Sequence, residues 1–168
     1  MKTRKITMLA VLSAVALTIF LLEAQLPPIV PLPGVKIGLA NIVTVFAVFA
    51  MGPGEGALVL AVRIFLGSVF AGNFSTIFYS AGGGALSILV TVGLRRVLKR
   101  NQLWVAGCLG AVAHSVGQMA VAVVMTGTRS MVLYLPVMIV ISLITGLFTG
   151  LCAQFLVNRG KLWKTILK

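Results

Sequence analysis

Few side chains in this sequence could do chemistry. There is no aspartate, the only carboxylates are Glu23 and Glu55, and the single histidine is His114. Lys36, Asn41, Arg63, Asn73, Tyr79 and Gln118 are set singly among long apolar runs. Two carboxylates and one imidazole are too few for a zinc site, which takes three or four such ligands. Cys108 and Cys152 both fall inside apolar runs and read as small core residues, not as a disulfide framework. No G-x-x-x-x-G-K-[ST] phosphate loop occurs, so any ATP-driven work needs a partner. No cofactor and no catalytic residue is expected. What remains is recognition: a few charges and amides in an apolar setting, suited to holding a small molecule.

The setting is a membrane. The chain has 168 residues, of which 60% are hydrophobic and only 10% charged. Soluble domains carry about 25% charge. The formal net charge of +12 does not imply nucleic acid, because the basic residues form short clusters between apolar runs. The expected architecture is all-α and integral to the membrane: a single domain over 1–168 forming a six-transmembrane-helix bundle. The spans are expected at about 6–25, 37–51, 56–71, 78–98, 103–125 and 132–157, with a basic interfacial tail over 159–168. The second and third spans are shorter than the usual 20 residues or so.

Charge asymmetry orients the bundle. Lys2, Arg4 and Lys5, then Arg95, Arg96, Lys99 and Arg100, then Arg159, Lys161, Lys164 and Lys168 fall on one side. Only Lys36 and Arg129 fall on the other, and Arg63 lies within a span. The positive-inside rule places both termini in the cytoplasm, in a multi-pass protein of a prokaryotic plasma membrane. The first span fits a retained helix better than a cleaved signal, because Leu22-Glu23-Ala24 is a poor cleavage site.

In that topology the polar residues gather toward the outer side: Glu23, Lys36, Asn41, Asn73, Tyr79 and Gln118, with Arg63 near mid-depth. This predicts a pocket open outward, not a continuous pore. His114 and Gln118 share one helical face with Gly107, Gly110 and Gly117 nearby, so that face is either a packing seam with a polar rivet or a ligand surface. Arg63 is either a structural partner of Glu23 or an anion-binding charge. Lys36 is either an interfacial anchor or a ligand contact. Gly82-Gly83-Gly84 implies close packing or backbone exposed to a ligand. Ala10 and Ala14 form a small-xxx-small pair on the side of the first span opposite Glu23. Above the polar end lies Pro27–Asn41, with four of the six prolines. Its proline-stiffened part, up to Lys36, is expected to cap the pocket.

The stretch Pro33-Gly34-Val35-Lys36-Ile37-Gly38-Leu39-Ala40-Asn41-Ile42-Val43 closely resembles the signature of the Gx transporter family, also named heptaprenyl diphosphate synthase component I. Arg63-Ile64-Phe65-Leu66-Gly67 and Phe78-Tyr79-Ser80-Ala81-Gly82-Gly83 resemble its further blocks, and the likeness covers nearly the whole chain. That family is similar to the substrate-binding S components of energy-coupling factor transporters. The resemblance implies an S-component-like fold, a small-molecule substrate, and partners in the bilayer: a transmembrane scaffold subunit docked through Ala10 and Ala14, and separate ATPase subunits. The expected substrate is anionic or carbonyl-rich with an apolar body, such as a quinone or prenyl precursor or a small vitamin, because Lys36, Arg63 and Arg129 outweigh Glu23. The chain alone cannot make prenyl diphosphates, which needs clustered carboxylates to hold magnesium. A non-catalytic accessory role beside a prenyl diphosphate synthase or redox complex is the alternative. A channel or independent transporter is disfavoured for want of polar residues in the inner halves.

Overall fold

The structure, a computed structural model, describes residues 2–25, 38–72 and 74–160. Its elements in order are α1 (Lys2–Ala24), α2 (Asn41–Ala50), α3 (Pro53–Phe70), α4 (Ser75–Arg95), α5 (Leu103–Thr126) and α6 (Leu135–Asn158). Short 3-10 turns, Arg100–Gln102 and Arg129–Tyr134, lead into α5 and α6. Among the described residues there is no strand. In lipid a helix satisfies its own backbone, which explains why long apolar runs settle on this one element.

Among the described residues five helices are long and apolar enough to cross a membrane: α1, α3, α4, α5 and α6. At 37–51, where the second span is expected, the described apolar helix is short. That helix, α2, has 10 residues. At 1.5 Å per residue it covers about 15 Å, half of a hydrocarbon core of about 30 Å. The physical reason lies at both ends. Gly38 precedes α2 with φ 86 and Gly52 follows it with φ 150, conformations that a residue with a Cβ rarely adopts. Pro53 then opens α3, where a missing N–H costs nothing.

The half-helix is the centre of the bundle. Asn41, Val43, Thr44, Val45, Phe46, Ala47 and Val48 are all buried. Around them pack Met8, Leu12 and Ala16 of α1, Val59 of α3, Leu103 of α5, and Ala153 and Val157 of α6. The other five helices all carry large exposed apolar side chains, such as Val11, Phe65, Leu89, Val124 and Phe148, while α2 carries none. Exposed Leu, Val and Phe on this scale belong against lipid tails.

Backbones approach closely where glycines meet. A Cβ added at Gly117 of α5 would stand 2.4 Å from the Gly82 carbonyl oxygen of α4. One at Gly107 would stand 2.4 Å from the Gly146 oxygen of α6. Small residues at helix contacts are the usual means of association in lipid, where no hydrophobic gain separates helix from solvent. The stripe Ser142, Gly146, Thr149, Gly150 and Ala153 is buried along α6, and Ser115 and Ser142 share a 2.5 Å hydrogen bond across the α5–α6 contact.

One end of the bundle is polar and basic. Lys5 at the start of α1 pairs with Glu55 at the start of α3, and the Arg95 guanidinium at the end of α4 lies beside them. The Asn158 amide at the end of α6 donates to Asn101 at 3.2 Å. The first described turn of α1 and the last turn of α6 thus belong to the same end.

Candidate functional site

The site is built at the opposite end of α2. An α-helix leaves its first amides without internal partners. In α2 the 3-10 start pairs Asn41 N–H with the Gly38 oxygen at 3.0 Å, Ile42 with Leu39 at 3.2 Å and Val43 with Ala40 at 3.3 Å. The amides of Gly38 and Leu39 lie before that ladder. Both donate to the Glu23 carboxylate from the last turn of α1, at 2.5 and 3.0 Å. Glu23 is only 6% exposed. A buried anion at the positive end of a helix is favourably placed, and charge-assisted bonds to amides are the strong kind.

Arg63 of α3 faces this carboxylate from mid-helix. It is buried and within electrostatic reach of both Glu23 and His114. His114 of α5 lies beside the same turn: the position of a Cβ on Gly38 is 3.7 Å from the imidazole Cδ2 and 3.3 Å from the Asn41 Nδ2. The imidazole lies against the backbone of Gly83 on α4. Gly83 itself permits this approach, since a Cβ there would meet the Gln118 Cγ at 2.7 Å and the His114 Cε1 at 2.9 Å. Tyr79 is buried on α4 one turn earlier.

Several of these buried polar atoms have no hydrogen-bond partner among the described residues. They are Asn41 Nδ2 and Oδ1, Arg63 Nε, His114 Nδ1 and Gln118 Oε1. Buried polar groups are almost always paired, because an unpaired one forfeits its hydration. Five unpaired atoms on four neighbouring side chains make a surface suited to a ligand. Thr44 Oγ1, one turn along α2 from Asn41, and Gln154 Oε1, near the basic end of α6, are also unpaired.

The structure brings Glu23, Asn41, Arg63, His114 and Gln118 together through this set of contacts. It places Tyr79 on the same helix as Gly83, buried. Lys36, Asn73, the cap over Pro27–Lys36 and the tail beyond Gly160 lie outside the described residues. Arg129 is exposed in the 3-10 turn after α5. Ala10 and Ala14 are exposed on the face of α1 away from Glu23. With Ile6, Leu9, Leu58, Val62 and Leu66 they line an open apolar groove of about 470 Å³ between α1 and α3. Sequence reasoning missed the Gly38 and Leu39 amides, which no side chain announces, and Gln154. Thr44 was findable, three residues after Asn41 on the same helical face.

Among the described residues no group of His, Cys, Asp and Glu could hold a metal ion. In comparison with known proteins, residues 12–156 match a family described as heptaprenyl diphosphate synthase component I. No curated protein matches the chain, and no solved structure does.

Proposed function

We propose that this chain, which belongs to the heptaprenyl diphosphate synthase component I family, is a membrane subunit that captures a small molecule at the polar cluster around the start of α2. The observation that carries the reading is the set of buried atoms on Asn41, Arg63, His114 and Gln118 that have no hydrogen-bond partner among the described residues. A bundle with only a structural task would gain by replacing them with apolar groups. The positive-inside rule assigns the basic end to the cytoplasm and the cluster to the outer half, as in an S component that collects its substrate from outside. Lys36, Asn73 and Tyr79 then join the ligand contacts, and the Pro27–Lys36 connection is the cap. The groove that exposes Ala10 and Ala14 suits a scaffold helix, with ATP hydrolysis supplied by separate subunits.

The family's description favours a second reading: a non-catalytic membrane component beside a prenyl diphosphate synthase. Catalysis by this chain alone does not fit its carboxylates. Glu55 pairs with Lys5, and Glu23 follows Lys5 by 18 residues on the same helix, about 27 Å along the axis. They cannot share a magnesium ion.

One experiment separates the two. The full chain is purified in lipid nanodiscs, and bound small molecules and co-purifying proteins are identified by native mass spectrometry. Capture predicts a releasable compound, lost in Arg63→Ala, and a membrane scaffold partner lost in the double variant Ala10→Leu/Ala14→Leu while the compound stays bound. A soluble synthase as partner with no releasable compound would establish the accessory role instead.

A further inference from the structure

Thr44 lies one turn further along α2 than Asn41. It is 3% exposed, and its hydroxyl has no hydrogen-bond partner among the described residues. A threonine inside a helix ordinarily turns its hydroxyl back onto a carbonyl three or four residues earlier. Thr91, Thr126 and Thr145 do so onto Ser87, Ala122 and Ile141 at 2.8, 2.8 and 3.0 Å, and Thr149 does so onto Gly146 at 3.2 Å. The corresponding carbonyls for Thr44 are those of Ala40 and Asn41, and its hydroxyl bonds neither. It is turned away from the partners its own helix offers, in a place where an unanswered hydroxyl is costly.

The neighbouring helix does not answer it either. α3 follows α2 after only Met51 and Gly52 and runs back beside it. A Cβ on Gly56 would run into the Val48 side chain, so Val48 of α2 faces Gly56 of α3. Four residues from that contact on each helix, Thr44 comes level with Leu60; seven residues away, Asn41 comes level with Arg63. Positions four and seven apart share one helix face, so Asn41, Thr44 and Val48 form a single stripe. Leu60 is apolar, and its methyl groups lie against Gly84 of α4. The polar surface of α2 thus continues inward from Asn41 by three residues, about 4.5 Å along the axis, and stops before Val48.

Resting on the capture reading above, we infer that Thr44 is a binding residue of the same site: its hydroxyl takes a second polar group of the captured molecule, set deeper than the group held by Asn41. The occupant is a molecule with polar groups at two depths, such as a ring carrying heteroatoms on two edges or a head with two oxygen or nitrogen functions. A molecule with one polar point on an otherwise apolar chain leaves Thr44 unanswered. A hydroxyl and a primary amide each donate and accept, so these two contacts select by position and not by charge.

The test uses the full chain in lipid nanodiscs and the compound that it retains through purification, released by organic solvent and identified and counted per mole of protein by mass spectrometry. The half-life of retention is followed after dilution into empty nanodiscs, since variants of one site differ mainly in off-rate. Thr44→Val replaces the hydroxyl by a methyl of the same shape and should shorten the half-life about three- to tenfold, the worth of one neutral hydrogen bond. Thr44→Ser keeps the hydroxyl and should stay within about twofold of wild type. In ligand-free protein the thermal midpoint of Thr44→Val should be unchanged or higher, because an unanswered buried hydroxyl is removed. A lower midpoint means that the hydroxyl is paired inside the protein. An equal loss in Thr44→Ser traces the effect to packing, and full retention in Thr44→Val means that the hydroxyl meets water alone. Each of these overturns the inference and leaves capture standing, as does a retained compound with a single polar group. Release of nothing but phospholipid from the wild-type protein overturns the capture reading, and this inference with it.

Discussion

Glu23 holds two amides that α2 cannot pair internally, and it faces a guanidinium buried in the same apolar surroundings. Each charge is tolerable because the other is there. Glu23→Gln keeps one acceptor but discards the charge, so it should lower stability by about 1.5–3 kcal/mol, the worth of a hydrogen bond to a charged group. Arg63→Met alone should also destabilise, by removing the buried cation within electrostatic reach of the carboxylate. The double variant should lose less than the two single losses combined, and thermal unfolding in detergent around the full cycle measures that coupling. Strict additivity would mean that the two groups do not interact. Of this arrangement, Glu23, Arg63, Asn41, His114 and Gln118 were legible in the sequence, because ionisable and amide side chains in an apolar span stand out. The His114–Gln118 pairing followed from one turn of helix. What Glu23 holds was not legible, since the Gly38 and Leu39 amides belong to the backbone and carry no signature in residue type.

At the scale of elements, the glycines divide into those that set an approach and those that do not. A Cβ added at Gly117 would stand 2.4 Å from the Gly82 carbonyl oxygen, and backbone cannot swing aside as a side chain can. Gly93 of α4 has nothing within 4 Å of its would-be Cβ. Gly117→Ala should therefore push α4 from α5 and cost about 1–3 kcal/mol, the usual range for overpacking. Gly93→Ala should stabilise by up to about 1 kcal/mol through helix propensity. Chemical denaturation of the two variants side by side checks the contrast, and equal effects would deny a close α4–α5 contact. The same division explains why α2 is shorter than the span its apolar run suggests. Its apolar run is long enough to suggest one, but Gly38 sets the true start, and a glycine's left-handed φ appears only in the folded backbone. The glycine run 82–84 was ambiguous in sequence for a similar reason. Gly82 and Gly83 lie against α5, while Gly84 lies against Leu60 and Ile64 of α3.

At the scale of the molecule, the contacts at the basic end tie four helix termini together. Lys5 and Glu55 join the starts of α1 and α3, with the Arg95 guanidinium at the end of α4 beside them, while Asn101 and Asn158 join the turn before α5 to the end of α6. These elements carry Arg4, Lys5, Arg95, Arg96, Arg100 and, just past α6, Arg159, while among the described residues the opposite end has only Arg129. In the sequence, eleven basic residues read to one side against two to the other, the bias that orients short loops during insertion. The basic end should thus face the cytoplasm. Single cysteines report it directly, once Cys108 and Cys152 have been replaced by alanine. Val97, in the connection after α4, is 79% exposed, and Ser130 lies exposed in the turn before α6. In intact cells a membrane-impermeant maleimide should label Ser130→Cys and spare Val97→Cys, and permeabilising the cells should make both reactive. The reverse pattern would turn the molecule over, put the start of α2 toward the cytoplasm, and make capture from outside impossible for a cluster set in that half of the bundle.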